Sequence, residues 1–506
     1  MIKYTPSKNI QLKLFKTPFE KTLDDENRWV ILSDVLPWDD LVKPLFKVMD
    51  HRGRGSIDLR HVLGALIIKG IENLSDEEVV RAIQENIYMQ YFVGLPSFTS
   101  EPLFTPEVLV AVRKRLAEQG MQEMNDTFLK YVHKAGFIKH RHEYGSKSDK
   151  EQSHRGTLKI DATVADQWIG YPIDVKLLNS VRIRTEQIID YLYHMEFAPF
   201  GTKKPRTYRR VADGEYIDFS KKKTPRRPLV NKTRKKLLRY IRRNMSNIFQ
   251  ALDSIEAEYG GLTKAFEDKR MYKDFLVIQH IYSQQEDLSK KKKVKDRIVN
   301  VAQPQVRPIV RGKRPNKTEF GSKINASETE GYIRMDQIDY NNFNESKYLI
   351  QTINSYKKLY GYFPAVVLVD KIYLNRDNRN WLKANGIKHY GTALGRPLKM
   401  SKEEKRYRRK KQNKRVEIEG KFGLAKRKFG LNKIKMKRTD TSKMHIGLIA
   451  LSMNICKLLA DIFSFFAEKL QNFINTSKKD WKYILNVIFI LFFTKIRSKN
   501  FLFNLE

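Results

Sequence analysis

A single cysteine, Cys456, in 506 residues rules out any disulfide within the chain and any cysteine-rich zinc site. The ten histidines show no metal-ligand spacing, so a histidine-built metal centre has no support either. Met1 to Leu12 contain no apolar core of signal-peptide length, which gives the expectation of a protein kept in the cytoplasm. Acidic residues are scarce as well: 57 Asp and Glu stand against 97 Lys and Arg, a formal net charge of +40. That excess is more than solubility requires and makes nucleic acid the expected partner. Apolar residues are not scarce. At 41% of a chain this long they can fill two or three cores, so disorder is not the default.

Residues 1–150 read as an all-α N-terminal domain. A helix over Ile57 to Lys69 is followed by a turn through Gly70 to Leu74, and Ser75 with Glu78 forms a capping box that opens a second helix. Val79, Ile83, Ile87 and Tyr91 supply its buried face. A third helix starts at Thr105-Pro106, with Val108, Val112 and Leu116 inward. Two helices joined by a glycine-containing turn admit a DNA-binding or dimerisation reading, although most such pairs are packing units.

From Leu158 to Val164 the pattern changes to alternation, with Lys159, Asp161 and Thr163 on the face opposite the apolar residues of a strand. After Pro172 a helix carries Leu177, Leu178, Val181, Ile188 and Leu192 as its stripe. Residues 203–243 then hold seventeen Lys or Arg against Asp213, Glu215 and Asp218. The second half of that stretch is an amphipathic helix with Leu237, Leu238, Ile241, Met245, Ile248 and Leu252 inward. Arg234, Lys235, Arg239, Arg242 and Arg243 remain solvated, which suits either an ordinary charged face or a grip on DNA phosphates. Strands are expected at Arg297 to Val301, Thr318 to Ser327 and Tyr332 to Ile338, with Glu330-Gly331 as a hairpin turn. A helix from Ser346 to Tyr360 leads to the apolar run Ala365 to Val369, a buried parallel strand that delivers Asp370 at its carboxyl end. A short helix (Asp377 to Ala384), a strand (Ile387 to Thr392) and the basic run Lys399 to Lys414 follow.

The sharpest signal lies just beyond. Ile418, Phe422, Ala425 and Phe429 form the buried stripe of a helix, and Arg415, Glu419 and Lys426 share a neighbouring face, so one carboxylate is bracketed by two cations. Such a face suits a divalent metal beside gripped phosphates, and equally a surface ion-pair ladder. Asp161, Asp370 and Glu419 nevertheless sit in order on three elements of one sheet-and-helix domain. Clustered, they would repel one another unless hard divalent cations, two Mg²⁺ or Mn²⁺, filled the gap. Glu417 and Asp174 are neighbouring alternatives; Glu417 lies about 200° around the helix from Glu419 and is expected to be solvated.

These residues resemble the DDE transposases of bacterial insertion sequences, specifically insertion-sequence family five. That family's third carboxylate lies in a signature of Tyr, two residues, Arg, three residues, Glu, six residues, Lys; Arg415, Glu419 and Lys426 match it, with Gln412 in the Tyr position. Asp161-Ala162-Thr163 looks like the family's first Asp, Asp370-Lys371-Ile372-Tyr373 like its second, and residues 89–116 are similar to its N-terminal helical domain. The resemblance implies an α/β catalytic core of RNase H-like fold, a mixed sheet with flanking helices, interrupted by a helical basic insertion and preceded by the all-α domain. It implies catalytic and metal-ligating roles for Asp161, Asp370 and Glu419, with Arg415, Lys426 and Lys371 supporting them or holding DNA phosphate. The activity implied is cleavage at terminal inverted repeats and strand transfer into target DNA, by a protein homodimeric on double-stranded DNA. A nuclease of the same fold without strand transfer, or an inactive basic DNA-binding descendant, are the rival readings. The boundaries that follow are 1–150 for the helical domain, 151–475 for the catalytic domain with its insertion at about 196–296, and 476–506 for a basic and apolar tail. Ile446 to Phe466 carries Lys457 and Asp461 and reads as a buried helix, not a membrane span; Tyr483 to Phe493 is too short to cross a bilayer as a helix.

Overall fold

The computed structural model describes residues 4–6, 22–49, 57–139, 154–195, 199–201, 203–260, 269–310, 318–395 and 400–476. The apolar run 483–493 therefore lies outside the described residues. The chain divides into two compact units, one of Met1–Asp166, Lys323–Asp339 and Phe343–Glu506, the other of Gln167–Ser322 and Tyr340–Asn342.

In the first unit, Asp58 caps the helix Leu59–Glu72, and the Ser75–Glu78 capping box opens Asp76–Glu85 as its sequence requires. Two details differ from expectation. Gly70 is not a turn residue: the helix runs through it, because Gly70 packs so closely on the C-terminal helix Thr439–Thr476 that a Cβ there would lie 2.1 Å from the Ser452 hydroxyl. The second helix also stops at Glu85. Asn86 accepts from the Tyr88 and Met89 amides and starts a separate helix, Ile87–Val93, that buries Tyr91.

The long helix Glu107–Lys134 lies against Thr439–Thr476. Asn454 clips the packing together: its amide donates to Asn125 Oδ1 over 2.9 Å and to the Ile333 carbonyl over 2.8 Å, while its Oδ1 accepts from the Ile333 N–H over 2.8 Å. A buried polar side chain so fully satisfied adds specificity without a desolvation penalty. The stretch Thr439–Glu468 is long and apolar enough to cross a bilayer, yet 67% of its most apolar window is buried inside the protein, the position of a core helix.

The sheet strands are β1 (Thr157–Asp166), β2 (Arg307–Val310), β3 (Thr318–Thr329), β4 (Tyr332–Asp339), β5 (Val366–Leu368) and β6 (Lys388–His389). In the first unit the order runs β3-β1-β5-β6, with β4 on the other edge of β3. β5 is parallel to both β1 and β6, and β3 and β4 form an antiparallel hairpin, so the sheet is mixed and flanked by helices. Glu330 and Gly331 turn that hairpin with φ of 49° and 92°, the left-handed pair that a tight two-residue turn needs. β1 is buried on both faces and not half-solvated: Lys159 and Thr163, expected on an open face, are covered. The strand expected at Ile387 to Thr392 contracts to Lys388–His389.

The second unit packs the helices Asp174–Tyr193, Arg227–Tyr259 and Lys269–Ser289 around one apolar cluster that includes Leu178, Val181, Ile241, Ile248 and Ile278. No strand forms over Arg297 to Val301. The Ile298 N–H goes to the Gln284 side chain and the Gln303 N–H to Asn300 Oδ1, so backbone groups there are satisfied by side chains and not by a ladder. Its strand, β2, lies further on and pairs antiparallel with the first residues of β3.

Candidate active site

The β1–β5 register pairs Lys159 with Leu368. Two residues further along each chain stand Asp161, still within β1, and Asp370, just past the end of β5; the two strands are parallel neighbours about 4.8 Å apart. Asp370 ends its strand by capping the next turn, Oδ1 accepting from the Lys371 N–H over 2.7 Å. That turn is anchored by Tyr373, which is wholly buried and donates its hydroxyl to Asn325 Oδ1 over 2.6 Å, while Asn378 donates to the Tyr373 carbonyl over 2.7 Å. The Asp-Lys-x-Tyr spacing thus has a mechanical meaning: the aromatic fixes the strand end that presents the carboxylate.

Glu419 arrives on the helix Val416–Lys428, whose Ile418, Phe422 and Ala425 are buried as the stripe predicts. One guanidinium joins two of the three carboxylates. Arg415 lies 2.7 Å from Asp161 Oδ2 through Nη1 and 2.9 Å from Glu419 Oε1 through Nη2. Burial pushes the Asp161 carboxyl above the ordinary aspartate range and nearby Glu419 and Glu345 push the same way, against the Ala162 N–H and Arg415. Glu345 had no sequence signal. It follows the sheet in a short 3-10 turn and is held by Lys323 at 2.9 Å. Among the described residues no three His, Cys, Asp or Glu side chains are gathered closely enough to hold a metal ion as they stand.

Other expectations are redistributed. The Lys426 ammonium lies 3.9 Å from Asp166. Glu417 is half-exposed as expected but is also paired, 2.6 Å from Lys159, and Lys159 in turn lies 2.7 Å from the buried Glu328. Behind Asp161 the strand is therefore fastened by a buried cation between two carboxylates, which together outweigh burial and raise the Lys159 pKa. Asp174, in the second unit, is taken up by Arg297, by Gln285 at 3.0 Å and by Arg234 at 3.8 Å. Arg234 is thus largely buried, not solvated, because the Asp174 helix covers it. Arg242 is exposed but bonded to Tyr282 and Glu286, each at 2.9 Å, and Arg243 lies 4.4 Å over the Tyr208 ring. Lys235 and Arg239 are exposed.

A cavity of about 490 Å³ opens beside Asp370, lined by Lys371, Lys405, Arg408, Arg409, Gln412 and Arg415 among others. The helix Lys402–Asn413 that forms one wall buries none of its residues. Gln412, at its end, donates to the Val369 carbonyl over 2.8 Å.

Residues 367–458, which include Asp370, Arg415, Glu419 and Lys426, match the family described as transposase DDE domain, and residues 17–115 match the transposase domain DUF772. The chain is 26% identical over 164 residues to an uncharacterised protein, ORF8 in the nfe locus of Rhizobium meliloti, covering 32% of this chain and 73% of that one. No solved structure matches it. The protein is transposase-like, with DDE-domain homology over the stretch that carries two of its three candidate carboxylates.

Proposed function

We propose that the protein is a DNA transposase of the DDE type, of insertion-sequence family five, with an RNase H-like core that cuts DNA at terminal inverted repeats and joins the ends to target DNA. The observation that carries the reading is the meeting of Asp161 and Glu419 on Arg415, beside the strand that delivers Asp370, within and next to the DDE-matching stretch. The mixed sheet order, with parallel β1, β5 and β6 and an antiparallel hairpin beyond, supports the same fold. So does the net charge of +40, which suits a double-stranded DNA substrate held by a dimer.

Asp161, Asp370 and Glu419 would have to draw closer than they stand to hold a pair of Mg²⁺ or Mn²⁺ ions, but their chemistry suits such ions. They offer an all-oxygen donor set, and the Arg415 guanidinium between two of them stands in for the positive charge such a set requires. Bound there, two ions would activate the attacking oxygen and stabilise the leaving one in an in-line displacement at phosphorus. The chain's own residues do the rest. The Tyr373 anchor holds Asp370 in place, the buried Lys159 pair holds β1, and Arg415, Lys371 and the neighbouring cations orient the phosphate by charge and bidentate hydrogen bonding.

Divalent-metal-dependent cleavage of DNA carrying the repeats that bracket the gene tests the reading. Asp161→Asn, Asp370→Asn and Glu419→Gln should each abolish cleavage and retain DNA binding. Cleavage without joining would favour a nuclease of the same fold, and full activity in all three variants would sink both.

A further inference from the structure

The helix Lys402–Asn413 buries none of its residues and is held by few contacts, the Gln412 bond to the Val369 carbonyl and the Tyr407–Tyr390 ring contact among them, yet it walls the cavity beside Asp370. A helix polar all round is held by something other than a core. Lys405, Arg408 and Arg409 of this helix line the cavity together with Lys371 and Arg415, five cations with one carboxylate, Asp370. That surplus is matched by a polyanion. The volume, about 490 Å³, admits a stretch of one strand and not a duplex cross-section. Arg415 belongs to two places at once, since the side chain that lines this cavity also bridges Asp161 and Glu419.

We propose that this cavity seats the backbone phosphate of one DNA strand on Lys405, Arg408 and Arg409, and that Arg415 is handed from the Asp161–Glu419 pair to that phosphate when the strand enters. Without DNA the guanidinium neutralises the two carboxylates and keeps a divalent cation from them. With DNA a phosphate competes for the guanidinium, and the carboxylates are freed for metal. DNA and metal then bind with positive coupling, and the coupling is reciprocal. The inference rests on the proposed metal-dependent reading of the same carboxylates.

The test is Mn²⁺ affinity, read by calorimetry or paramagnetic resonance on the full chain, with and without a random-sequence DNA duplex; phosphate contacts carry no sequence information, so any duplex serves. The parent protein should bind Asp161-dependent Mn²⁺ about tenfold more tightly with DNA present. Arg415→Gln should bind it equally well with or without DNA, at the affinity the parent reaches only with DNA. Lys405→Ala, Arg408→Ala and Arg409→Ala combined should leave Mn²⁺ affinity without DNA unchanged and remove the tightening. Circular dichroism melting of each variant separates these outcomes from misfolding. Asp161-dependent Mn²⁺ binding that DNA does not tighten, or tightening that survives the triple substitution, overturns the inference and leaves the proposed activity standing. Absence of any Mn²⁺ binding sensitive to Asp161→Asn, with DNA or without, overturns both.

Discussion

Gln412 holds Val369: its Nε2 donates to the Val369 carbonyl over 2.8 Å, tying the end of the basic helix to the residue between β5 and Asp370. Its Oε1 is enclosed with no partner among the described residues. Gln412→Leu removes one unsatisfied oxygen but takes the side-chain donor from the carbonyl of buried Val369, so unfolding free energy should fall by about 1–2 kcal/mol. Cleavage should fall about tenfold or more, because the tether that positions Asp370 is gone. Denaturant unfolding and a cleavage time course on the same preparation check this. Equal rates for variant and parent would mean the contact positions nothing.

Glu417 and Glu419 are two residues apart with opposite duties. Glu419→Gln should be inactive in cleavage with nearly unchanged stability, since its carboxylate is half-exposed and, among the described residues, paired with Arg415 alone. Glu417→Gln should remain active and lose about 1 kcal/mol or less, the usual worth of a pair with one exposed member. An inactive Glu417→Gln beside an active Glu419→Gln would reverse the assignment of the helix face.

Glu328 is the stronger partner of Lys159, because both side chains are almost wholly buried. Glu328→Ala leaves that ammonium inside the protein with only the half-exposed Glu417 for company. Removing one member of a buried pair costs about 3 kcal/mol or more. The denaturation midpoint should drop accordingly, and Lys159→Met combined with Glu328→Leu should recover much of the loss. A loss no larger than that of Glu417→Gln would show that the pair is solvated in practice.

What could be read from the sequence was local and periodic. The stripe Ile418, Phe422, Ala425 and the Ser75–Glu78 capping box depend on spacings within one element, and both stand as read. The approach of Lys426 to Asp166 has no local signal. Seven residues restore the azimuth of Glu419 but move roughly 10 Å along the helix axis, whereas Arg415 at four residues is near enough for a shared contact. Glu345 and the Lys159–Glu328 pair escaped notice because their partners are set by strand pairing and a turn far along the chain, and no local pattern records that. The basic run before Glu419 was visible as charge; only the fold gives it a cavity to face.

His445 sets an acid limit on the C-terminal helix. Its Nδ1 is enclosed with no partner among the described residues, and burial, followed by the nearby Lys69 and Arg113, pulls its pKa down to about 3. The folded protein therefore holds fewer protons than the unfolded chain, whose histidine titrates near 6.5. The stability this group contributes is complete above that value and is lost as pH falls toward the folded one, by at most about 1.4 kcal/mol per pH unit. Urea midpoints measured through this window should fall more steeply for the parent than for His445→Leu. Parallel pH profiles for the two proteins would exclude the histidine as the cause.

The second unit offers a salt-dependence test that its own contacts sharpen. Of the five cations on the Arg227–Tyr259 helix expected to hold DNA, Arg234 is paired with Asp174, Arg242 with Glu286, and Arg243 lies over Tyr208. A cation already engaged must break those contacts before it can neutralise a phosphate. Lys235 and Arg239 are exposed and need break none among the described residues, so they should carry most of any phosphate grip. Each phosphate neutralised contributes about 0.9 to the slope of log K against log salt. Lys235→Ala with Arg239→Ala should flatten that slope by up to about two units and weaken terminal-repeat and scrambled duplexes alike. Arg242→Ala should instead leave the slope nearly unchanged and lower stability modestly, through lost bonds to Tyr282 and Glu286. Binding isotherms at several salt concentrations distinguish the cases. A flattened slope for Arg242→Ala with none for the Lys235 and Arg239 pair would mean that DNA outcompetes Glu286, and that exposure in the free protein does not mark the contact face.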